Sequence, residues 1–360
     1  MRALRFVTLL VLVPWLTACA DSRYYLQSVG GHLHMMQATR PVAQWLADDD
    51  VAPALKHRLA LAQRIRHFGV SELGLPDNAS YQRYADLQRR AVVWNVVAAP
   101  ELSLKLTTWC FPVTGCVGYR GYFSEADARS HAQTLRAQGL EVSVYGVPAY
   151  STLGWLNWAG GDPLLNTFIH YPEGELARMI FHELAHQVLF VRDDTVFNES
   201  FSTAVERLGG ERWLAQHGAP AAQKEYAEFD ARRRQLRALQ ASTRARLGAL
   251  YAQSELAVAD RLSVLAIKQD IMKDFRISYD NLKKTWGGYT GYDAWVAGAN
   301  NAALGAQAAY DELVPGFEAL FEREGRDWQR FYDAVKQLAT MPAPERTRRL
   351  KHLSGDLPLG

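Results

Sequence analysis

The sequence has few cysteines, little net charge and no sign of repeated membrane-spanning segments. Three cysteines in 360 residues are too few for a scaffold built on disulfides. The 40 basic and 38 acidic residues nearly balance, and without the first 18 residues, which hold two arginines, the difference is 38 − 38 = 0. We expect no nucleic-acid partner, because a protein without net charge has no electrostatic attraction to phosphate.

The composition that is present, 48% hydrophobic and 22% charged residues, is typical of a folded globular protein large enough for an enzyme. The first residues differ from the rest. Two arginines precede an almost wholly apolar run over residues 6–16, and Cys19 follows Thr17 and Ala18. This start resembles a bacterial lipoprotein signal, with an ordinary secretory signal as the alternative.

The lipoprotein resemblance implies cleavage before Cys19 and lipid on that residue. The chain would then be anchored in the bacterial cell envelope and face the periplasm, and Ala20 and Asp21 slightly favour the outer membrane. Cys110 and Cys116 remain as one pair, six positions apart around a Pro and a Gly. We expect a disulfide in an oxidising compartment, with two free thiols as the alternative.

The pattern along the chain predicts a mostly α-helical α+β protein with a small β-sheet. Residues 1–18 are the predicted signal, and 19–97 carry apolar residues at helical spacing. Residues 98–220 contain a helix begun by Ser124, an alternating strand over 141–147 and two further helices, and are the predicted zincin-like core. Residues 221–360 predict long helices, starting with a hairpin, that complete the same unit.

The stretch Phe181-His182-Glu183-Leu184-Ala185-His186 carries the chemistry. Residues four apart lie on one face of a helix, so both imidazoles can bind one zinc ion with Glu183 beside the open position. The alternative is a pair of surface histidines. A catalytic zinc also needs a third protein ligand, and Glu199 and Glu206 on the next predicted helix are the candidates. They lie two turns apart on one face, and helix geometry leaves both open.

The pattern Asn-Glu-x-Phe-Ser-x-x-x-Glu that starts at Asn198 is similar to the third-ligand helix of the gluzincin metallopeptidases. This resemblance implies that Glu199 binds zinc and that Glu206 supports the site. The 20-residue spacing from His186 to Glu206 is closer to the thermolysin-like enzymes, so Glu206 stays the alternative ligand. Glu206 or Thr203 would also accept the outer N–H of a ligand histidine.

Several segments together resemble a family of bacterial proteins called predicted aminopeptidases. They are the lipoprotein start, the cysteine segment 109–123, residues 149–155 and 162–167, the two zinc helices and Asn300-Asn301-Ala302. The resemblance implies a zinc-dependent peptidase, with one Zn²⁺ and a peptide substrate. Glu183 would take a proton from a zinc-bound water and pass it to the leaving amine.

The remaining roles stay open at the level of sequence. Candidates for the group that stabilises the oxyanion are tyrosines: Tyr289, Tyr292 and Tyr310, with Tyr150 and Tyr171 nearer the zinc helix. Asp162, Glu173 and Glu175 are candidates to bind a substrate α-amine. Residues 150–155 are either an edge strand for substrate or core. The alternative functions are a non-catalytic scaffold stabilised by zinc and an endopeptidase acting on cell-wall or envelope peptides.

Overall fold

The computed structural model describes residues 22–111, 115–256 and 261–355, apart from the side chains of 254–256. It is 63% helix and 10% strand, which confirms a mostly α-helical α+β fold. The predicted signal and Cys19 lie outside the described residues. None of the helices in the described ranges is long and apolar enough to cross a membrane. The helices are α1 (22–37), α2 (Val42–Ala47), α3 (Pro53–Leu73), α4 (Glu125–Ala137), α5 (Glu173–Val188), α6 (Thr195–His217), α7 (Pro220–Leu256), α8 (Arg261–Thr285), α9 (Asp293–Ala297), α10 (Asn301–Ala308), α11 (Val314–Arg323), α12 (Trp328–Ala339) and α13 (Ala343–Leu353).

The described strands form two three-stranded sheets and one hairpin. They are β1 (Arg40–Pro41), β2 (Arg83–Ala85), β3 (Val93–Pro100), β4 (Trp109–Phe111), β5 (Gly115–Val117), β6 (Arg120–Tyr122), β7 (Leu140–Val147) and β8 (Leu164–Leu165). The main sheet has the antiparallel order β6-β3-β7, with Asn95 opposite Tyr145. A smaller sheet has the order β1-β2-β8, and β4 pairs with β5. The predicted Cys110–Cys116 disulfide joins this last pair and is confirmed.

The helical pattern predicted up to residue 97 is wrong beyond α3. Residues 93–97 begin β3, the central strand of the main sheet, and the boundary drawn after residue 97 falls inside it. Val93, Val96, Val97 and Ala98 are all buried, because helices and strands cover both faces of this strand. A continuous apolar run has no periodicity that separates a buried strand from a buried helix.

Helices α5 and α6 occupy the middle of the main core. Leu176, Ile180 and Leu184 on α5 are completely buried, so the helix lies inside the core and its histidines are not a pair on an exposed surface helix. Phe317 of α11 and Phe331 of α12 pack into the same core, far from α5 in sequence. The core helix that carries the two histidines is therefore held rigid by side chains from the whole chain.

The predicted helical hairpin is formed by α7 and α8. It has its own small cluster of buried residues, which includes Leu247 and Tyr251 of α7 with Ile271 and Phe275 of α8. The predicted helix that starts after Ser124 is α4, and the predicted strand over 141–147 is β7. The Ser124 hydroxyl accepts from the backbone N–H of Asp127 at the start of α4, as the capping pattern predicts.

The segment from Tyr150 to Trp155 is not an edge strand, and of its two aromatic residues only Tyr150 packs against the core. It forms a turn in which Leu153 and Gly154 both have positive φ, 55° and 78°, so the backbone cannot continue as an extended strand. Tyr150 packs between Phe123 and His32, but Trp155 is 67% exposed.

Candidate metal centre

The two histidines of α5 point at a common centre. His182 and His186 are buried, and their Nε2 atoms lie 3.2 Å apart. Their rings are nearly perpendicular, with an interplanar angle of 82°. Spacing of four residues on one helix produces this convergence, because successive turns place the side chains above one another.

A short turn brings α6 back against α5. The sequence pattern predicts that the first of these helices ends at Val191 and that the second begins near Asn198. Both boundaries lie three residues earlier in the chain, because α5 ends at Val188 and α6 begins at Thr195. The Asn198 side chain accepts from the backbone N–H of Val191 and donates to its carbonyl. This pair of bonds fixes the register of α6 against the end of α5, and so fixes where the next residue points.

That next residue, Glu199, completes the group. Its Oε2 lies 3.3 Å from His182 Nε2 and 3.6 Å from His186 Nε2. Three ligand atoms at about 2.0–2.1 Å from a tetrahedral zinc would lie about 3.3–3.4 Å from one another. The three separations fit that arrangement, and the donor set of two imidazoles and one carboxylate suits zinc. These residues form a buried group that could hold a metal ion.

Glu206 lies on the other side of His182. Its Oε2 is 3.0 Å from the Nδ1 atom, so it contacts the ring nitrogen that faces away from Glu199. Although burial opposes its charge, Arg178 and His182 hold the pKa of Glu206 down at about 2. Arg178 is itself buried, bonds to Glu206 and lies 3.4 Å from Asp230 of α7. Glu206 therefore orients His182 and is held in place by a buried ion network.

His186 has a different outer partner. The Ser202 hydroxyl lies 3.0 Å from His186 Nδ1. The sequence pattern put forward Thr203 for such a role, but Ser202 is the residue on the face of α6 that meets the imidazole. Ser202 and Thr203 follow Glu199 by three and four positions, so both share its side of the helix and spacing alone cannot separate them.

Between the two histidines, Glu183 is partly exposed beside the centre. Burial raises the pKa of its carboxyl group, while the nearby imidazoles of His182 and His186 oppose that rise. A carboxylate with a raised pKa accepts and returns protons more readily near neutral pH. The electrostatics are opposite at Glu199, where the two imidazoles overcome burial and lower the pKa.

Of the predicted tyrosines, Tyr310 lies at the centre. Its ring is 6.3 Å from that of His182, with the planes 27° apart. The negative charge of Glu199, with burial, raises its pKa well above the usual value, so the phenol keeps its proton and can donate it. Burial raises the pKa of Tyr119 and Tyr145, and the negative charge of Glu199 adds to the rise. The sequence analysis did not single out these two phenols as residues near the site.

The other predicted tyrosines contact different parts of the molecule. Tyr289 and Tyr292 pack against each other, and Tyr289 lies edge-on to Phe229 of α7. The backbone carbonyl of Tyr171 accepts a hydrogen bond from Arg58 of α3. These positions cannot be separated from Tyr310 by sequence, because only the packing of α10 and the segment after it brings residue 310 over α5.

Residues 23–350 match the model of the family described as "Putative aminopeptidase". The chain belongs to this family. No curated protein and no solved structure matches it. Family membership supports a peptidase role, and the buried group of two histidines and one glutamate is the candidate centre for it.

An aminopeptidase must recognise a free α-amine, and the three acids suggested by sequence have other partners. Asp162 is 1% exposed and accepts from both the backbone N–H and the hydroxyl of Thr152. Its second oxygen lies 3.3 Å from the Gln187 amide of α5. It therefore ties the turn at 151–156 to the helix of the candidate centre.

The two acids at the start of α5 are also engaged. Glu173 accepts from the indole N–H of Trp213, and Glu175 accepts from Arg233. Both bonds join the first turn of α5 to neighbouring helices. These carboxylates support the position of α5 in the fold rather than face the centre.

Proposed function

We propose that the chain is a zinc-dependent peptidase of the gluzincin type, an aminopeptidase whose zinc is held by His182, His186 and Glu199. One observation carries the proposal. The three ligand atoms lie 3.2–3.6 Å apart, next to a partly exposed glutamate. A structural zinc site has no need of Glu183 and is more often closed by a fourth protein ligand.

The chain's own residues divide the work of peptide hydrolysis among them. Bound zinc would supply a Lewis acid that makes water acidic near neutral pH. Glu183 takes the proton of the attacking water and delivers it to the leaving amine. Tyr310 donates to the oxygen of the scissile carbonyl as negative charge develops there. Glu206 and Ser202 hold the two imidazoles at their outer nitrogens.

The proposal includes a place in the cell. Lipid on Cys19 would hold the protein on the membrane, with the catalytic part in the periplasm and the outer membrane as the favoured site. The Cys110–Cys116 disulfide supports export, because disulfides persist in oxidising compartments. Mass spectrometry of the chain purified from bacterial membranes tests this, since a mature N-terminus at an acylated Cys19 is expected and an intact residue 1 would contradict it.

The enzymatic test uses the mature chain and a peptide library with free and blocked N-termini. We expect zinc-dependent cleavage that a chelator abolishes and added zinc restores. Glu183→Gln should reduce kcat by at least about 10²–10⁴-fold because the proton-transfer group is gone, yet retain one equivalent of zinc. The matched control is Glu211→Gln, an exposed glutamate of α6, which should change neither quantity.

The same experiment separates the alternatives. Zinc at one equivalent without cleavage of any peptide would favour a scaffold lipoprotein. Equal cleavage of blocked and free N-termini would identify an endopeptidase. Asp162, Glu173 and Glu175 all have other partners in the fold, so recognition of the substrate amine by these three acids is not part of the proposal.

A further inference from the structure

Helix α1 has an apolar face that the rest of the described chain does not cover. Leu26 is 74% exposed, Val29 58% and Leu33 53%. They follow one another at spacings of three and four, so they form one stripe along the helix. Tyr25, beside the stripe, is also exposed. A contiguous exposed stripe of this kind marks an interaction surface more often than a single exposed leucine does.

The opposite face of α1 is firmly attached to the protein. Gln27 accepts from the backbone N–H of Phe123, Gly31 lies directly against the Phe123 ring, and Met35 is completely buried. The Tyr24 ring stacks on Phe111 and lies under the guanidinium of Arg120. The helix is thus a fixed part of the surface, and its apolar stripe faces outward.

Two exposed tryptophans lie on residues 150–160, a segment that borders α1. Trp155 is 67% exposed and Trp158 85%. The segment packs on α1 at both ends, where Tyr150 contacts His32 and Gly160 lies beside the Met36 methyl group. Exposed indoles are costly in water but favourable at a membrane interface, where the ring is half apolar and the N–H stays hydrated.

The position of the stripe in the chain, close to Cys19, indicates that a membrane covers it. Cys19, the proposed lipid site, precedes residue 22 by three residues, which span at most about 11 Å even when fully extended. Leu26, the first residue of the stripe, lies four helical residues or about 6 Å beyond residue 22, so the stripe begins within about 17 Å of Cys19. Helix α1 itself, residues 22–37, contains Arg23 and no acidic residue, so anionic head groups would meet no carboxylate on this helix.

We propose that Leu26, Val29 and Leu33 of α1, with Trp155 and Trp158, form a membrane-docking surface that lies on the bilayer. Docking would fix the orientation of the protein on the membrane rather than leave it tethered at one point. The inference rests on the proposed lipid anchor for its choice of partner.

The test measures partition of the mature chain with Cys19→Ala, and hence without lipid, onto vesicles of phosphatidylethanolamine and phosphatidylglycerol. We expect measurable binding, and a loss of about 1,000-fold in the partition coefficient for Leu26→Ser/Val29→Ser/Leu33→Ser, since each of the three apolar side chains contributes about tenfold when buried. Trp155→Ser/Trp158→Ser removes two such side chains and should lower the partition coefficient about 100-fold.

The control is Ile267→Ser/Ile277→Ser, which removes two similarly exposed apolar side chains from α8 and should leave partition unchanged. Circular dichroism checks that every variant is folded. Equal binding by the Cys19→Ala chain with and without the stripe substitutions would overturn the proposal, as would no binding by the Cys19→Ala chain itself. Self-association in sedimentation that the stripe variant abolishes would assign the surface to a second copy instead.

These outcomes are independent of the proposed function. Peptidase activity in solution needs no vesicle, so loss of vesicle binding leaves the enzyme intact. Absence of lipid on native Cys19 would remove the anchor, while vesicle binding by the Cys19→Ala chain would still support docking through α1.

Discussion

The α5–α6 pair and the α7–α8 hairpin are both antiparallel helices, but the ion pairs that join the two helices differ in their exposure to water. The first pair buries charge: Arg178 has 4% of its side chain exposed and Glu206 14%, and both lie behind His182. In the hairpin, Arg246 and Asp274 join the two helices at the surface, with 49% and 53% of their side chains exposed. Buried charges are expensive unless fully paired, so the first pair keeps them at the expense of stability. A functional site is the physical reason to accept that cost.

The largest expected effect is at the point where buried charge meets the proposed metal. Glu199→Ala removes one of the three ligands and leaves two imidazoles, so zinc affinity should fall by well over the roughly 100-fold that loss of an outer partner costs. Equilibrium zinc titration measures the loss, and peptide cleavage should disappear with it. Glu211→Ala, exposed on the same helix, is the control. Retention of tight one-equivalent binding would show that another residue, with Glu206 as the first candidate, is the ligand.

The second effect concerns stability. Arg178→Met removes the only buried cation described between Glu206 and Asp230 and leaves both carboxylates less compensated. Breaking a buried ion network from one side costs about 3–5 kcal/mol, and we expect a loss of this size in the free energy of unfolding of the metal-free chain, measured in urea. Arg178→Lys keeps the charge and should lose less. A decrease of less than about 1 kcal/mol in the free energy of unfolding would show that water reaches this ion network and screens its charges.

The third effect is finer, because Glu206→Gln keeps the volume of the side chain and changes only its charge. Glu206 contacts His182 Nδ1 at 3.0 Å, so its loss weakens the orientation and basicity of that ligand. Zinc affinity should fall about 10–100-fold. Ser202→Ala tests the corresponding contact at His186, where a neutral hydroxyl should contribute less than a carboxylate. Equal effects of the two variants would contradict the charge argument.

The sequence predicted the parts of this centre that depend on one helix. His182 and His186 follow from their spacing of four residues, and their burial and convergence are observed; Glu183 between them is partly exposed. Helix geometry alone does not decide whether Glu199 or Glu206 is the third ligand. The answer depends on the register of α6 against α5, and the two hydrogen bonds between Asn198 and Val191 set that register.

Long-range packing limited the other predictions. Tyr310 could not be separated from Tyr289 and Tyr292, since its place over His182 depends on contacts between residues more than 100 positions apart. The apolar pattern predicts helix up to residue 97, whereas residues 93–97 begin β3; both faces of this strand are buried, so its sequence has no clear alternation. Mostly helical character, the disulfide and the hairpin could be predicted, since each rests on local composition or spacing.

The smallest expected effect is on the free energy of unfolding when the exposed ion pair of the hairpin, Arg246 with Asp274, is removed. Arg246 donates to Asp274 at 2.8 Å, a shorter separation than the 3.4 Å between Arg178 and Asp230. Distance alone would rank the hairpin pair as the stronger one. Because water and salt screen exposed charges, Arg246→Met should nevertheless change the free energy of unfolding by about 0–1 kcal/mol, and less in 1 M salt. Urea titrations at low and high salt measure both values beside Arg178→Met. A loss at Arg246 equal to that at Arg178 would mean that burial does not distinguish the two helix pairs, and the case that α5 and α6 keep their charges for the metal centre would fail.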